Sequence, residues 1–382
     1  MKRLGVVCLA FVLIMGCFPV TAQAVDLEIK AKSAVLMDGA TGTVLYEYNS
    51  HESLPPASVT KVMTMLLVME ALDSGRIGWE DEVIASEAAA SKGGSQIYLK
   101  VGESMPVSTL LKSVAVASAN DAACALAEHI SGSESAFVEK MNARAAELGM
   151  QDTHFVNCTG LDDDDSAQQH RTSAYDIALM SRELLMKHPD IKKFTTIWMD
   201  TIRDGAFGLA NTNKLVRFYQ GATGLKTGYT SKAGFCLSAS AKREDMELIA
   251  VVLGAETSAD RFSACKRMLD HGFATYALIA PKLESPITVP VRLGKEESVA
   301  AVPSEQSALL IDKGQKNSVT TQIEMTEYAD APVSQGQRLG TMTVRSGEQV
   351  LAEIPLVAEA SVERLSWGEL FLQALRRLCF SQ

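Results

Sequence analysis

The stretch PPASVTKVMTMLLVMEAL, residues 55–72, carries a serine and a lysine three positions apart, Ser58 and Lys61, at the head of a run with almost no polar face. Val62, Met63, Leu66, Leu67 and Met69 are too densely apolar for a surface helix. The pattern therefore predicts a helix from Val59 to Leu72 buried in a core. Pro55-Pro56 fixes an extended approach and puts Ser58 where that helix begins. Residues i and i+3 share a helix face, so Lys61 can point its amine at the Ser58 hydroxyl. Lysine acts as a base only when desolvation or nearby cations lower its pKa, and a buried helix offers desolvation. The helix N-terminus favours the negative charge of a developing alkoxide or oxyanion.

Spacing alone does not single out this pair, because Ser263 and Lys266 have the same separation. That second pair lies inside SADRFSACKRMLDHGF, residues 258–273, several positions past any helix start. Its charged neighbours Arg261, Lys266 and Arg267 read as an exposed, structural face.

The surrounding chain has 382 residues, enough for about two domains. It is 47% hydrophobic and 21% charged with a net charge of -10, which argues for globular cores and against a nucleic-acid partner. Met1-Lys2-Arg3, the apolar run Leu4 to Phe18 and Val20-Thr21-Ala22-Gln23-Ala24 read as a signal peptide cleaved after Ala24. Its removal takes away Lys2 and Arg3 and no acid, leaving -12. The alternatives are a transmembrane anchor, for which the run falls short of the roughly 20 residues a span needs, and a lipoprotein signal at Cys17, which Met15 fits poorly. Of seven cysteines, five remain after residue 24, an odd and scattered set that reads as buried thiols rather than a disulfide framework or zinc site. No metal or cofactor is expected.

Residues 30–48 read as a hairpin around Asp38-Gly39 and Thr41-Gly42. Residues 104–149 read as alanine-rich helices broken at Gly132 and Gly149, and Thr172 to His188 as an amphipathic helix. Two strands are expected between Leu225 and Gly254, then a helix from Ala259 to Ala274. Such an order predicts an α+β unit, an antiparallel sheet covered by helices. Past Pro281 the runs ITVPVRL, QIEMTEY and AEIPLVAEASV predict a separate all-β domain, a small sandwich. The acidic run Asp162 to Asp165 reads as a solvated loop. The tail ERLSWGELFLQALRRLCFSQ sets Trp367, Leu370, Phe371, Ala374, Leu375 and Leu378 on one face and Glu369, Gln373, Arg376 and Arg377 largely on the other. It is expected to lie in a membrane interface; packing on its own domain is the alternative. The expected boundaries are 1–24 signal, 25–282 catalytic, 283–360 β-domain and 361–382 terminal helix.

Two further motifs select Ser58 over Ser263. Ser118-Ala119-Asn120 falls at a break between helical runs, and Lys226-Thr227-Gly228 at the start of a β-run. Each is common alone. Sixty positions separate Ser58 from Ser118, and 108 separate Ser118 from Lys226, which leaves room for a helical subdomain. In this order the three form the signature of active-site-serine penicillin-recognising enzymes. With DGATGTVLYEYNSHESLPPASVTKVMT, TSAYDIALMSREL, NTNKL and FYQGATGLKTGYTSKAGFCLSASA, the chain resembles the serine-type D-alanyl-D-alanine carboxypeptidases. These are low-molecular-mass, class C penicillin-binding proteins of the β-lactamase/transpeptidase-like fold. The likeness spans about residues 28–380, and FYQGATGLKTG looks most like versions in Gram-positive spore formers.

The resemblance implies roles residue by residue. Ser58 would attack the carbonyl between two D-alanines of a peptidoglycan stem pentapeptide and form an acyl-enzyme. Lys61 would take its proton, and Ser118 would relay a proton to the leaving amine. Asn120 would hold the substrate amide, and Lys226 and Thr227 the terminal carboxylate. Gly228 would let the substrate strand approach. The N–H groups of Ser58 and Tyr229 would form the oxyanion hole. β-Lactams would acylate Ser58, and water would release the stem tetrapeptide. In one departure, some relatives carry Arg where Thr212 stands in Asn211-Thr212-Asn213, leaving Lys214 or Thr227 to compensate. A β-lactamase would more often carry an acid at position 119, and no E-x-E-L-N-like segment follows. A non-catalytic penicillin- or wall-binding protein, and a transpeptidase, are the other readings.

Overall fold

The computed structural model describes residues 26–162, 165–283, 285–304 and 308–380. The expected signal segment, together with Asp163 and Asp164, lies outside the described residues.

The sheet at the centre explains why its strands are so apolar. Its order is Val44–Tyr48, Ser33–Asp38, Met246–Ala255, Gly234–Arg243, Ala222–Thr230, all antiparallel. Along Ser33–Asp38 and Met246–Ala255, alternate residues serve opposite faces. Val35, Met37, Ile249, Val251 and Leu253 join the core shared with most of the helices. Ala34, Leu36, Leu248, Ala250 and Val252 pack against the helix Ser258–Thr275 through Ala264, Cys265, Met268 and Leu269. Both faces are covered, so Met246–Ala255 is buried almost throughout. Ala222–Thr230 forms one edge of this sheet.

The run that opened the sequence forms the helix Lys61–Asp73, in which every residue except Glu70 and Asp73 is buried. Around it stand Val107–Ala117, Asn120–Ser131, Glu134–Glu147 and Ala174–Lys187. Gly132, at φ +80, ends one of these helices, as its place in the sequence predicts. Glu70 leaves the core to meet Arg144 at 2.7 Å, and Arg144 also holds Glu183 at 2.7 Å, which ties three helices together at the surface.

The start of the buried helix differs from expectation. Residues Ala57–Thr60 form a turn of 3-10 helix, and the α-helix begins only at Lys61. Ala57, at φ +49, bends the chain there, so Ser58 sits on a tight turn rather than on the first turn of the α-helix.

From Tyr276 to Ala358 the chain is mainly β. Tyr276–Ile279 pairs with Leu309–Asp312. A six-stranded sheet runs Val319–Met325, Arg338–Ser346, Gln349–Ala358, Ser298–Pro303, Ile287–Arg292, Ala329–Asp330. Its core is built from Val289, Val299, Met342, Val344, Ile354 and Leu356. The helix Trp367–Phe380 follows, with Trp367 90% and Phe371 65% exposed. Among the described residues no helix is long and apolar enough to cross a membrane.

Candidate active site

The turn Ala57–Thr60 and the first residue of the buried helix bring Ser58 and Lys61 together, with Lys61 Nζ 3.0 Å from Ser58 Oγ. The amine also donates to the Thr159 carbonyl at 2.8 Å. Lys61 is fully buried, and that burial drives its pKa down to about 7, against the opposing pull of Cys158 and Asp121. At neutral pH a large share of the amine is therefore unprotonated, with a lone pair able to accept the Ser58 proton. Thr64, one turn on, donates to the Cys158 carbonyl at 2.6 Å, so the segment carrying Thr159 is pinned to the same helix.

Ser118 terminates the helix Val107–Ala117 in the left-handed region at φ +63 and is 4% exposed. A non-glycine residue there is uncommon and frequent at functional sites. Asn120 opens the next helix, and its side-chain amide donates to the Gly93 carbonyl at 2.7 Å. Its Oδ1 is buried and has no partner within the protein, leaving an acceptor for a ligand N–H. Asp121 binds the backbone N–H groups of Ile97 and Leu99 and so fixes the loop that borders Asn120.

The strand Ala222–Thr230 supplies the third motif. Lys226 is buried and donates to the Thr227 carbonyl at 2.8 Å. Burial, then the charges of Lys61 and Arg261, hold its pKa well below the ordinary lysine value. Gly228 lies against the Ser58 turn itself: a Cβ there would come 2.7 Å from the Pro56 carbonyl oxygen and 3.0 Å from the Ser58 nitrogen. The close approach that needs glycine is thus the one between this strand and the Ser58 turn. Tyr229 is 57% exposed, its ring against Phe235 at 4.3 Å.

The Asn211-Thr212-Asn213 segment is a brace. Asn213 donates to the Gly224 carbonyl at 2.9 Å and Asn211 to the Ile197 carbonyl at 2.7 Å. Thr212 N–H reaches the Val116 carbonyl at 3.2 Å, next to Ser118, while its hydroxyl meets the Thr227 hydroxyl at 2.6 Å. Thr227 is thereby the partner of the residue that replaces the arginine of some relatives; Lys214 is exposed.

Arg261 departs from expectation. It is only 8% exposed, and its guanidinium donates to the carbonyls of Gly228 at 2.8 Å and Cys236 at 3.2 Å, beneath Lys226-Thr227-Gly228. Its position on the buried face of Ser258–Thr275 follows from helical phase, since Arg261, Ala264, Cys265 and Met268 share a stripe. Ser263 and Lys266 point the other way and are exposed, as a structural pair should be. The sequence motifs do not mark Thr60, Gly160 and His170, which stand behind the Ser58 turn. Only the left-handed backbone of Gly160 had a sequence signal, in Thr159-Gly160.

Comparison with known proteins gives the family. A family model described as D-alanyl-D-alanine carboxypeptidase matches residues 19–257, and one described as the C-terminal domain of penicillin-binding protein 5 matches residues 278–364. The D-alanyl-D-alanine carboxypeptidase DacF of Bacillus subtilis is 47% identical over 345 residues, 89% of this chain and 87% of that protein. DacC of Escherichia coli is 34% identical over 364 residues, 91% of this chain and 89% of its own. Among solved structures, penicillin-binding protein 5 from Haemophilus influenzae superposes with a TM-score of 0.75 at 31% identity, covering 88% of this chain and 98% of that one. Penicillin-binding protein D2 from Listeria monocytogenes, in its ampicillin-bound form, superposes with a TM-score of 0.59 at 32% identity, covering 65% and 100%. The chain belongs to the D-alanyl-D-alanine carboxypeptidase family.

Proposed function

We propose that this carboxypeptidase removes the terminal D-alanine of peptidoglycan stem pentapeptides through an acyl-enzyme on Ser58. The observation that carries the residue assignment is the buried Lys61 amine, 3.0 Å from the Ser58 hydroxyl and titrating near neutrality. Neutral Lys61 takes the Ser58 proton as Oγ attacks the carbonyl between the two D-alanines. The Ser58 and Tyr229 N–H groups receive the oxyanion, each such donor contributing roughly 3–4 kcal/mol when well placed. Ser118 passes a proton to the departing amine. Asn120, with an acceptor to spare, takes the substrate amide N–H. Lys226 and Thr227 take the terminal carboxylate, and the bound anion restores to Lys226 the proton that burial disfavours. Water then frees the tetrapeptide stem.

β-Lactams present the same acyl carbon and carboxylate, and they acylate Ser58 in the same geometry; the ampicillin-bound relative supports this reading. The chain is exported through the signal segment 1–24. The catalytic unit 25–282 and the β-domain 283–360 then sit at the outer face of the cytoplasmic membrane, held by the terminal helix 361–382, whose exposed Trp367 and Phe371 support interfacial insertion.

The test is D-alanine release from a stem pentapeptide by the wild type and by Ser58→Ala. Release by the wild type alone, with no cross-linked product, is expected. Release by both would remove Ser58 from the mechanism, and cross-linked product with little free D-alanine in excess would make the chain a transpeptidase.

A further inference from the structure

Behind the Ser58 turn runs a chain of three hydrogen bonds that none of the sequence motifs announces. His170, 3% exposed, follows the short turn Asp165–Gln169. Its Nδ1 accepts the backbone N–H of Val156 at 3.1 Å, which leaves the proton of the neutral ring on Nε2. That N–H donates to Thr60 Oγ1 at 2.7 Å, and Thr60 Oγ1 donates to the Ala57 carbonyl at 2.8 Å. Burial, then the charges of His154 and Lys61, push the His170 pKa down to about 4, so the ring remains neutral and the polarity of the chain is fixed.

The end point of the chain is what gives it meaning. The Ala57 carbonyl and the Ser58 N–H are the two ends of one planar peptide unit, so holding the oxygen aims the hydrogen. That unit needs holding, because Ala57 lies at φ +49, where a residue with a Cβ is strained. Gly160 closes the other side: a Cβ there would overlap the Ala57 oxygen and come within 2.7 Å of Thr60 Oγ1. Serial hydrogen bonds also polarise the peptide and strengthen its N–H as a donor.

We propose that His170, acting through Thr60, is the positioning residue that aims the Ser58 N–H at the developing oxyanion. The inference rests on Ser58 being the residue acylated. Thr60→Val removes the hydroxyl at nearly constant shape. His170→Asn keeps an acceptor for Val156 and withdraws the donor from Thr60. Thr60→Ser restores the chain.

In the full-length protein, acylation by fluorescent penicillin and kcat for D-alanine release should fall roughly 10- to 100-fold in Thr60→Val and His170→Asn, part of the loss of a whole oxyanion donor. KM should stay within about twofold, as for an interaction made only in the transition state. Thr60→Ser should recover most of the rate. The ester carbonyl stretch of the penicilloyl-enzyme, read by difference infrared spectroscopy, should move to higher wavenumber in the two defective variants and not in Thr60→Ser. Wild-type rates and an unshifted carbonyl band in whichever of the two defective variants folds would overturn the proposal while leaving Ser58 in place. A wild type that takes no label on Ser58 would overturn the nucleophile assignment and this role together.

Discussion

A lysine amine in water titrates near 10.4, and at neutral pH almost none of it is free base. Lys61 owes its reactivity to what surrounds it. Among the described residues its partners are a hydroxyl and one carbonyl, and the carboxylate of Asp121 acts from a distance. The acylation rate should therefore climb with pH through about 7 as the proton is lost, falling roughly tenfold per unit below it. Stopped-flow acylation between pH 5 and 9 reads this directly, and a profile flat down to pH 5 would remove Lys61 as the base. Gly160 is a second single-residue test. Its φ of +81 and the absent space for a Cβ predict that Gly160→Ala costs more than the ~1–3 kcal/mol of a strained backbone and abolishes acylation. A folded, active variant would contradict it. Ser58, Lys61, Ser118, Asn120, Lys226 and Thr227 could be singled out as candidates from sequence because they stand in local motifs whose spacing has chemical sense. His170 and Arg261 could not, because each acts on a segment far away in the chain, and a histidine or arginine in sequence does not say which partner it will meet; Thr60 could not, because its hydroxyl gains meaning only from the distant His170.

At the level of elements, the brace 211–213 decides how the third motif is presented. The Thr227 hydroxyl is tied to Thr212, and Thr212 to the end of the helix that carries Ser118. Thr212→Val should release Thr227 and raise KM for a D-alanine-ending substrate about fivefold, the worth of one neutral hydrogen bond, with a smaller change in kcat. An unchanged KM would mean that Thr227 holds its place without Thr212. Packing of another element predicts thiol chemistry. Cys158 reaches Glu134 at 3.1 Å, Cys124 reaches it at 3.8 Å, and Lys92 pairs with the same carboxylate. Cys124, Cys158, Cys236 and Cys265 are all buried and free, and the Cys158 thiol is raised well above its ordinary pKa by Cys124 and by burial. A Cys379→Ser protein lacking residues 1–24 should show no thiol to Ellman's reagent while native and four once denatured. Rapid native labelling would show that this part of the fold opens. The long helices and the hairpin were visible as periodicity. The hairpin of Met199–Ile202 and Phe207–Ala210 was not, since two four-residue strands are too short for alternation to rise above chance. Likewise the 3-10 turn under Ser58 merges with the helical pattern that follows it.

On the scale of the whole molecule, the candidate site lies between residues 58 and 229, and an exposed apolar face lies on the terminal helix. Trp367, Phe371 and Leu372 lie open on the terminal helix. A chain ending at Glu363 should remain in the supernatant on sedimentation with anionic phospholipid vesicles, while releasing D-alanine from a soluble pentapeptide as fast as the intact protein. A truncated chain that still pelleted would place the attachment elsewhere. The two-part organisation was legible from the change of pattern near Pro281. The order of strands was not, because it depends on which hydrophobic faces meet after collapse.

That order has a kinetic consequence. Met246–Ala255 is the last of its five strands to be synthesised, yet it lies third across the sheet, with Ser33 paired to Leu253, 220 positions later. Closing so long a loop costs entropy before any pairing offsets it, which makes non-local sheets slow to form. A nascent chain can thus expose Ser58, Lys61 and Ser118 long before it holds the strand that locks the sheet. Until residue 255 has joined, Ser58 should behave as an ordinary serine, and the onset of reactivity toward β-lactams should serve as a clock for completion of the fold.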